Sequence, residues 1–159
     1  MPGIQLGFSW VGSVFLLMLL LPNLAWARHK PQGYEQGGQH ENRLLLALER
    51  AGQAAVTCLL LVSANLDPGR GAGWSGWLAA SLGLMLLYEL FWLRYFKSPK
   101  TMRDFYSSFL GVPVAGATLP VTAALLLGIH GESPLLLAAA AVLGVGHIGI
   151  HLEHRRQLD

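Results

Sequence analysis

Apolar positions along this chain fall into five long stretches divided by short polar segments. The first, Ile4 to Ala27, is 24 residues without a charge, and the second runs from about Leu44 to Leu66 with Glu49 and Arg50 near its start. The third, Trp74 to Phe96, carries Glu89 and Arg94 in its later half. The fourth, Ser108 to Ile129, is uncharged, and the fifth, Leu135 to Leu152, carries His147 and His151. The ~30 Å hydrocarbon core of a bilayer takes about 20 helical residues, because backbone groups in lipid must bond within their own helix. The pattern therefore predicts an all-α polytopic integral membrane protein. Its five transmembrane helices cover 4–27, 44–66, 74–96, 108–129 and 135–152, within one membrane domain spanning 1–159.

The connections support this count. Arg28 to Arg43, with Pro31, Gly33, Gly37 and Gly38, reads as a polar loop, whereas Asp67–Gly73 and His130–Pro134 read as tight turns. With five spans, one side of the membrane receives Arg28, Lys30, Arg43, Arg50, Arg94, Lys97, Lys100, Arg103, Arg155 and Arg156, and the other receives only Arg70. Positive charge stays inside, so the expected orientation in a cell membrane has the N-terminus outside and the C-terminus cytoplasmic. Trp74 and Trp77 open the third span, and Trp92 and Tyr95 close it, as interfacial aromatics do. Ala25-Trp26-Ala27 imitates a signal-peptide cleavage site, but no Lys or Arg precedes the apolar run, so it reads as an uncleaved span. The segment from Lys97 to Ser107 mixes cations with Phe105 and Tyr106; it either enforces topology or lies on anionic lipid.

Composition narrows the function classes. Charged residues make up 13% and hydrophobic residues 53%, with a mean hydropathy of +0.44, against ~25% charged in soluble domains. A disordered chain, a coiled coil and a nucleic-acid binder are excluded, and the first partner is the lipid bilayer. Cys58 is the single cysteine, so there is neither an intrachain disulfide nor a cysteine-based metal site.

Helices in lipid associate through close approach of small residues. Ala51-x-x-x-Ala55, Gly111-x-x-x-Ala115 and the run Gly144, Gly146, Gly149 supply such surfaces. Pro113 and Pro120 are seven residues apart and fall on nearly one face of the fourth span, where each removes a backbone donor and favours a kink.

Converting sequence to depth at ~1.5 Å per residue places Asn23, Glu49, Glu89, His147 and His151 in the cytoplasmic half of the bilayer, at about 18–25 Å from the outer end. A polar layer of Glu49, Arg50, Glu89, His147 and His151 is therefore expected, although Glu49, Arg50 and Arg94 are also placed to snorkel to the headgroups. Glu89 has Met85 and Leu93 at i−4 and i+4, so its partner should sit on another helix, with Arg50, His147 and His151 as candidates. His147, His151 and His154 share a helix face, and the i,i+4 pair has the spacing by which metalloprotease helices hold zinc. His147 and His154 lie ~10 Å apart along the axis, so a divalent metal would use His147 and His151 with Glu89 or Glu49. The alternatives are a proton-responsive pair and buried histidines that serve packing.

No P-loop, G-x-S-x-G or C-x-x-C occurs. Gly144-x-Gly146-x-x-Gly149 matches a dinucleotide fingerprint in letters only, since it lies inside an apolar span with no preceding strand. Three functions remain: a membrane subunit or interaction partner, with another membrane protein or a second copy as its partner; a membrane metal-binding protein or enzyme at His147, His151 and Glu89; and an ion or small-solute transporter.

Overall fold

The computed structural model describes residues 5–37, 41–70 and 73–159. The expected span start at Ile4, Gly38 of the first connection and Gly71 of the second lie outside the described residues. The protein is all-helical: α1 (Trp10–Arg28), α2 (Tyr34–Gly37), α3 (Arg43–Val62), α4 (Gly76–Lys97), α5 (Met102–Phe105), α6 (Ala115–His130) and α7 (Pro134–Leu158), with a 3-10 turn at Ala64–Leu66. α1, α3, α4 and α7 are long and apolar enough to cross a membrane, and α6 is a shorter apolar helix. Contacts fix two opposite ends. The start of α1 meets the α3–α4 connection through Asp67, and the end of α6 meets the start of α4 through His130 and Ser75. At the other end the Tyr95 hydroxyl donates to the His29 carbonyl (3.0 Å) and Arg103 donates to the Leu158 carbonyl (2.7 Å). The five main helices thus alternate in direction.

Helix starts follow local chemistry. Ser9, Asn42, Ser75 and Ser133 each cap the helix that follows with a side-chain oxygen, satisfying backbone donors that have no partner within the helix. Pro134 opens α7, where a missing N–H costs nothing. In the short α5, Thr101 and Asp104 form a reciprocal capping box. The bonds that Thr101 donates there hold the Asp104 carboxyl below its usual range, so α5 is best held above that range and loosens as pH falls through the lowered value.

Four helix boundaries differ from the sequence pattern by more than two residues, each for a visible reason. Residues 5–9 are extended instead of helical: Gly7 and Ser9 donate to the Val62 and Leu61 carbonyls, and Ala64 donates to Gln5. α3 stops at Val62, and Asn65 in the following turn donates to the Gly131 carbonyl (2.5 Å). α6 begins at Ala115, not Ser108. Phe109 and Val112 exchange backbone hydrogen bonds in a tight turn, and Leu110, Gly111 and Val114 take positive φ of 50°, 83° and 40°. Pro113 disfavours helix in the residue before it and lies outside α6, so only Pro120 is within the helix and Gly111-x-x-x-Ala115 is not a helical face. α7 continues past Leu152 to Leu158 because His154 is buried and Arg155 donates to Ser108 Oγ (2.6 Å).

α6 is the centre of the bundle. It is apolar all round and buried on nearly every side, which is how such a helix is stabilised. The longest helix interface joins α3 and α7. There a Cβ on Gly146 would run into the backbone of Leu45 and Glu49, and one on Gly52 would lie 2.5 Å from the Leu143 nitrogen. Gly149 packs on Leu45 in the same interface, whereas Gly144 faces Val121 of α6. Gly52 carries the α3 side of this contact; Ala51 is exposed.

The Asp67 end is locked by polar bonds. Asp67 is 1% exposed and accepts from Ser9 Oγ (2.8 Å), Val11 N (3.0 Å) and Trp10 N (3.2 Å), placing a carboxylate at the N-terminus of α1 where the helix dipole favours it. His130, also buried, bonds through Nε2 to the Leu66 carbonyl (3.2 Å), so that nitrogen carries the proton, while Nδ1 meets Ser75 Oγ (2.7 Å).

Two outcomes are expected. Gly146→Val forces α3 off α7 and lowers unfolding free energy in detergent by at least ~1–3 kcal/mol, the range for overpacking, while Ala138→Val at an exposed α7 position stays near wild type. Asp67→Ala strips acceptors from buried donors and costs about 1–3 kcal/mol in chemical denaturation, unlike Glu132→Ala on the exposed turn.

Candidate functional site

A cavity of about 210 Å³ lies within the bundle, walled by α1, α3, α4, α5, α6 and α7. Its space comes from α6, which presents Gly116, Pro120 and Ala124 toward it at intervals of four residues, one side of the helix with little side-chain volume. Pro120 cannot donate to the Gly116 carbonyl, so a backbone acceptor is freed on the same wall. Leu16, Leu19 and Leu20 of α1, Val56 of α3, Val121 of α6 and Leu143 of α7 make the apolar part. Trp92 and Phe105 add aromatic surface. Leu20 (52% exposed) and the exposed Gln53 stand on the lips of α1 and α3, so the cavity reaches the protein surface between those two helices.

The polar part is concentrated in Asn23, Glu49, Gln53, Thr57, Tyr88, His147 and His151. Glu49 Oε1 and His147 Nδ1 are directly paired across the α3–α7 contact. Each side chain is partly exposed, at 21% and 29%, so the pair sits at the cavity wall and not in sealed core. An ionisable group at membrane depth is costly unless it has such a partner. Asn23 Nδ2 donates to the Tyr88 hydroxyl (3.1 Å) and to the Leu19 carbonyl (2.6 Å), which fixes the facing polar wall. His151, one turn beyond His147, has its ring centroid 4.5 Å from that of His147, and its buried Nδ1 has no hydrogen-bond partner.

A line of titratable groups continues from the cavity toward the basic end. The His151 ring meets the Tyr106 ring edge-on at 5.0 Å, and Tyr106 stacks on His154 at 5.1 Å. His154 Nδ1 donates to the Ile150 carbonyl (3.1 Å), and its Nε2 lies 3.6 Å from Glu41. Burial, with the nearby Tyr34 hydroxyl and the Glu41 and Glu49 carboxylates, raises the Tyr106 phenol, which therefore stays a neutral hydroxyl. An aromatic plug of Trp26, Tyr34, Trp92, Tyr95, Phe96 and Phe105 closes this end around that line.

Of the residues expected in a polar layer, the structure brings Glu49, His147 and His151 together, with Asn23 opposite. Glu89 does not join them. It sits on the partly exposed side of α4, away from the cavity wall, and makes no hydrogen bond with His147, His151 or Arg50. Arg50 is exposed, as its position next to Glu49 on the helix requires. The trio His147, His151 and Glu89 is therefore not assembled, and among the described residues no group of three or more His, Cys, Asp or Glu is placed to hold a metal ion. Gln53 and Thr57 were not singled out by sequence reasoning. Their signal was present: Glu49, Gln53 and Thr57 recur every four residues in an apolar helix and form one polar stripe.

The Glu49–His147 pairing has a direct test. Glu49→Ala and His147→Ala each destabilise, and the double variant loses less than the sum, with a coupling energy of ~0.5–3 kcal/mol in a double-mutant cycle measured by denaturation; strict additivity would contradict the pairing. Comparison with protein-family models, with curated proteins and with solved structures finds no match for this chain.

Proposed function

We propose that this chain is a multi-pass membrane protein that takes a small amphipathic molecule from the bilayer through the gap between α1 and α3. The apolar body of the molecule would lie against Leu16, Val56, Val121 and Ala124, with a hydrogen-bonding head on Glu49, His147 and His151. The observation that carries this reading is the joining of an apolar cavity to one compact polar patch at membrane depth, the usual make-up of a ligand site. At about 210 Å³ the space is below the ~300–1,000 Å³ of drug-sized ligand clefts, which limits the occupant to a small ring or one end of a longer molecule. The unpartnered Nδ1 of His151 supports the same reading, because buried polar atoms are otherwise satisfied. The basic end belongs in the cytoplasm of a cell membrane and the Asp67 end outside, on the distribution of Lys and Arg.

A second reading, a proton-linked carrier, is supported by the line from Glu49 through His147, His151, Tyr106 and His154 to Glu41. It adds transport to binding and uses the same cavity.

The experiment fills the cavity. With 1-naphthol as a probe, a fused ring with one hydroxyl, wild-type protein in detergent gains about 2.7 kcal/mol of stability at 100 times its dissociation constant. Ala124→Phe, which occupies the space, keeps the unliganded melting temperature and loses the gain. Equal responses of the two proteins overturn the binding site. Proton flux in liposomes that is abolished by His151→Ala supports the carrier; no flux from wild type removes it.

A further inference from the structure

α4 presents to the membrane a face that none of the described residues covers. Gly76, Ala79, Gly83, Leu86, Leu90 and Leu93 recur at alternating intervals of three and four residues, the spacing of a helix–helix seam. Leu86, Leu90 and Leu93 are 60%, 49% and 55% exposed, and a Cβ placed on Gly76 or Gly83 would meet no atom within 4 Å. Such spacing alone describes any lipid-facing stripe. On α1 the exposed Val14, Leu17, Leu21 and Leu24 have it too, but they are bulky and uncharged, as a lipid contact should be.

Two features set α4 apart. Its half toward Gly76 is small, which lets a second backbone come close. Its other half carries Glu89 and Arg94 beside the leucines. Glu89 lies in the middle of an apolar helix and, among the described residues, makes no hydrogen bond or ion pair, with Oε1 buried. Arg94 donates to Ser107 Oγ (2.5 Å) and the Ser108 carbonyl (3.1 Å) of its own chain, and with five N–H groups it keeps donors to spare. With Leu90 and Leu86 as core positions of the seam, Glu89 and Arg94 flank it on opposite sides, five residues apart. That is the relation in which flanking charges pair between parallel helices.

We propose that two copies of this chain associate through α4, with Glu89 of each pairing with Arg94 of the other. The membrane supplies the geometry. Copies inserted in one orientation and related by a two-fold axis along the membrane normal necessarily bring α4 against α4 in parallel, and a two-fold repeats each pair. One contact then gives a partner to a carboxyl that otherwise has none at membrane depth, and both charges are balanced within the dimer. The cavity lies on the other side of α4, toward α6, so the dimer and the proposed binding site stand independently.

The test uses the full chain in lipid vesicles, in a Cys58→Ser background that removes the exposed native thiol. Under oxidation, Leu90→Cys forms disulfide-linked dimer at least about fivefold more than Val145→Cys on the exposed face of α7, as an association worth ~1 kcal/mol or more requires. Glu89→Leu lowers dimer yield in the Leu90→Cys protein, and the exchange of Glu89→Arg with Arg94→Glu restores it. Single-molecule photobleaching of labelled wild type gives two steps at dilute protein. Single steps throughout, which leave lipid as the occupant, overturn the proposal. So do equal crosslinking at Leu90 and Val145, an unaffected Glu89→Leu yield, or purification with a different membrane chain seated on α4.

Discussion

The contact of α3 with α7 through Gly52 and Gly146 is the constraint from which the other features follow. Only a residue without a Cβ permits backbone this close, since a methyl at Gly146 would overlap the main chain at Leu45 and Glu49. In lipid there is no hydrophobic force to press helices together, so contact area and polar pairing must do it. The close crossing supplies both. It brings Glu49 against His147 one residue from Gly146, and the two hydrogen-bonded groups are thereby positioned by the backbone crossing. From there the geometry of α7 dictates the rest: His151 follows one turn later, and His154 another.

The two ends of the bundle are stabilised by different chemistry. At one end the side chains of Asp67, Ser9, His130, Ser75 and Asn65 hydrogen-bond to one another and to backbone, which ties the start of α1 and α4 to the ends of α3 and α6. At the other, ring contacts among Trp26, Tyr34, Trp92, Tyr95, Phe105 and Tyr106 fill the space, and arginines fasten the connections from outside. The cavity lies between the helices where α1 has no close backbone contact with α3: their tight approach is at Gly12 and Leu60, near the hydrogen-bonded end.

Much of this architecture is legible in the sequence, because a membrane leaves few choices. Uninterrupted apolar runs mark the helices, and the Lys and Arg positions mark one end. The depth estimate brings Asn23, Glu49, His147 and His151 to one level, and all four line the cavity, Asn23 across from the other three. Depth says nothing about rotation, however. Glu89 is at that level but about 100° around α4 from Tyr88, at the edge of the buried face and outside the cavity lining, which a one-dimensional reading does not resolve. The start of α6 was missed for a related reason: Ser108 to Val114 is as apolar as a helix, and only the positive φ angles around Gly111 and Pro113 distinguish it. Long-range bonds such as Asp67 to Ser9 leave no periodic trace at all.

The shortness of α6 has a consequence for the surrounding bilayer. A helix of 16 residues reaches ~24 Å, less than the apolar layer it would have to cross. Left in contact with acyl chains it would draw the two leaflets together. Packed between α4 and α7, it turns chiefly the stripe Thr118, Thr122, Leu125 and Ile129 outward, and the non-helical chain from Ser107 to Val114 finds its bonds in protein: Ala115 N donates to the Ser107 carbonyl, and Arg94 and Arg155 reach Ser107 and Ser108. Most of the hydrophobic mismatch would thus fall within the protein, leaving the longer helices to match the thickness of the surrounding bilayer.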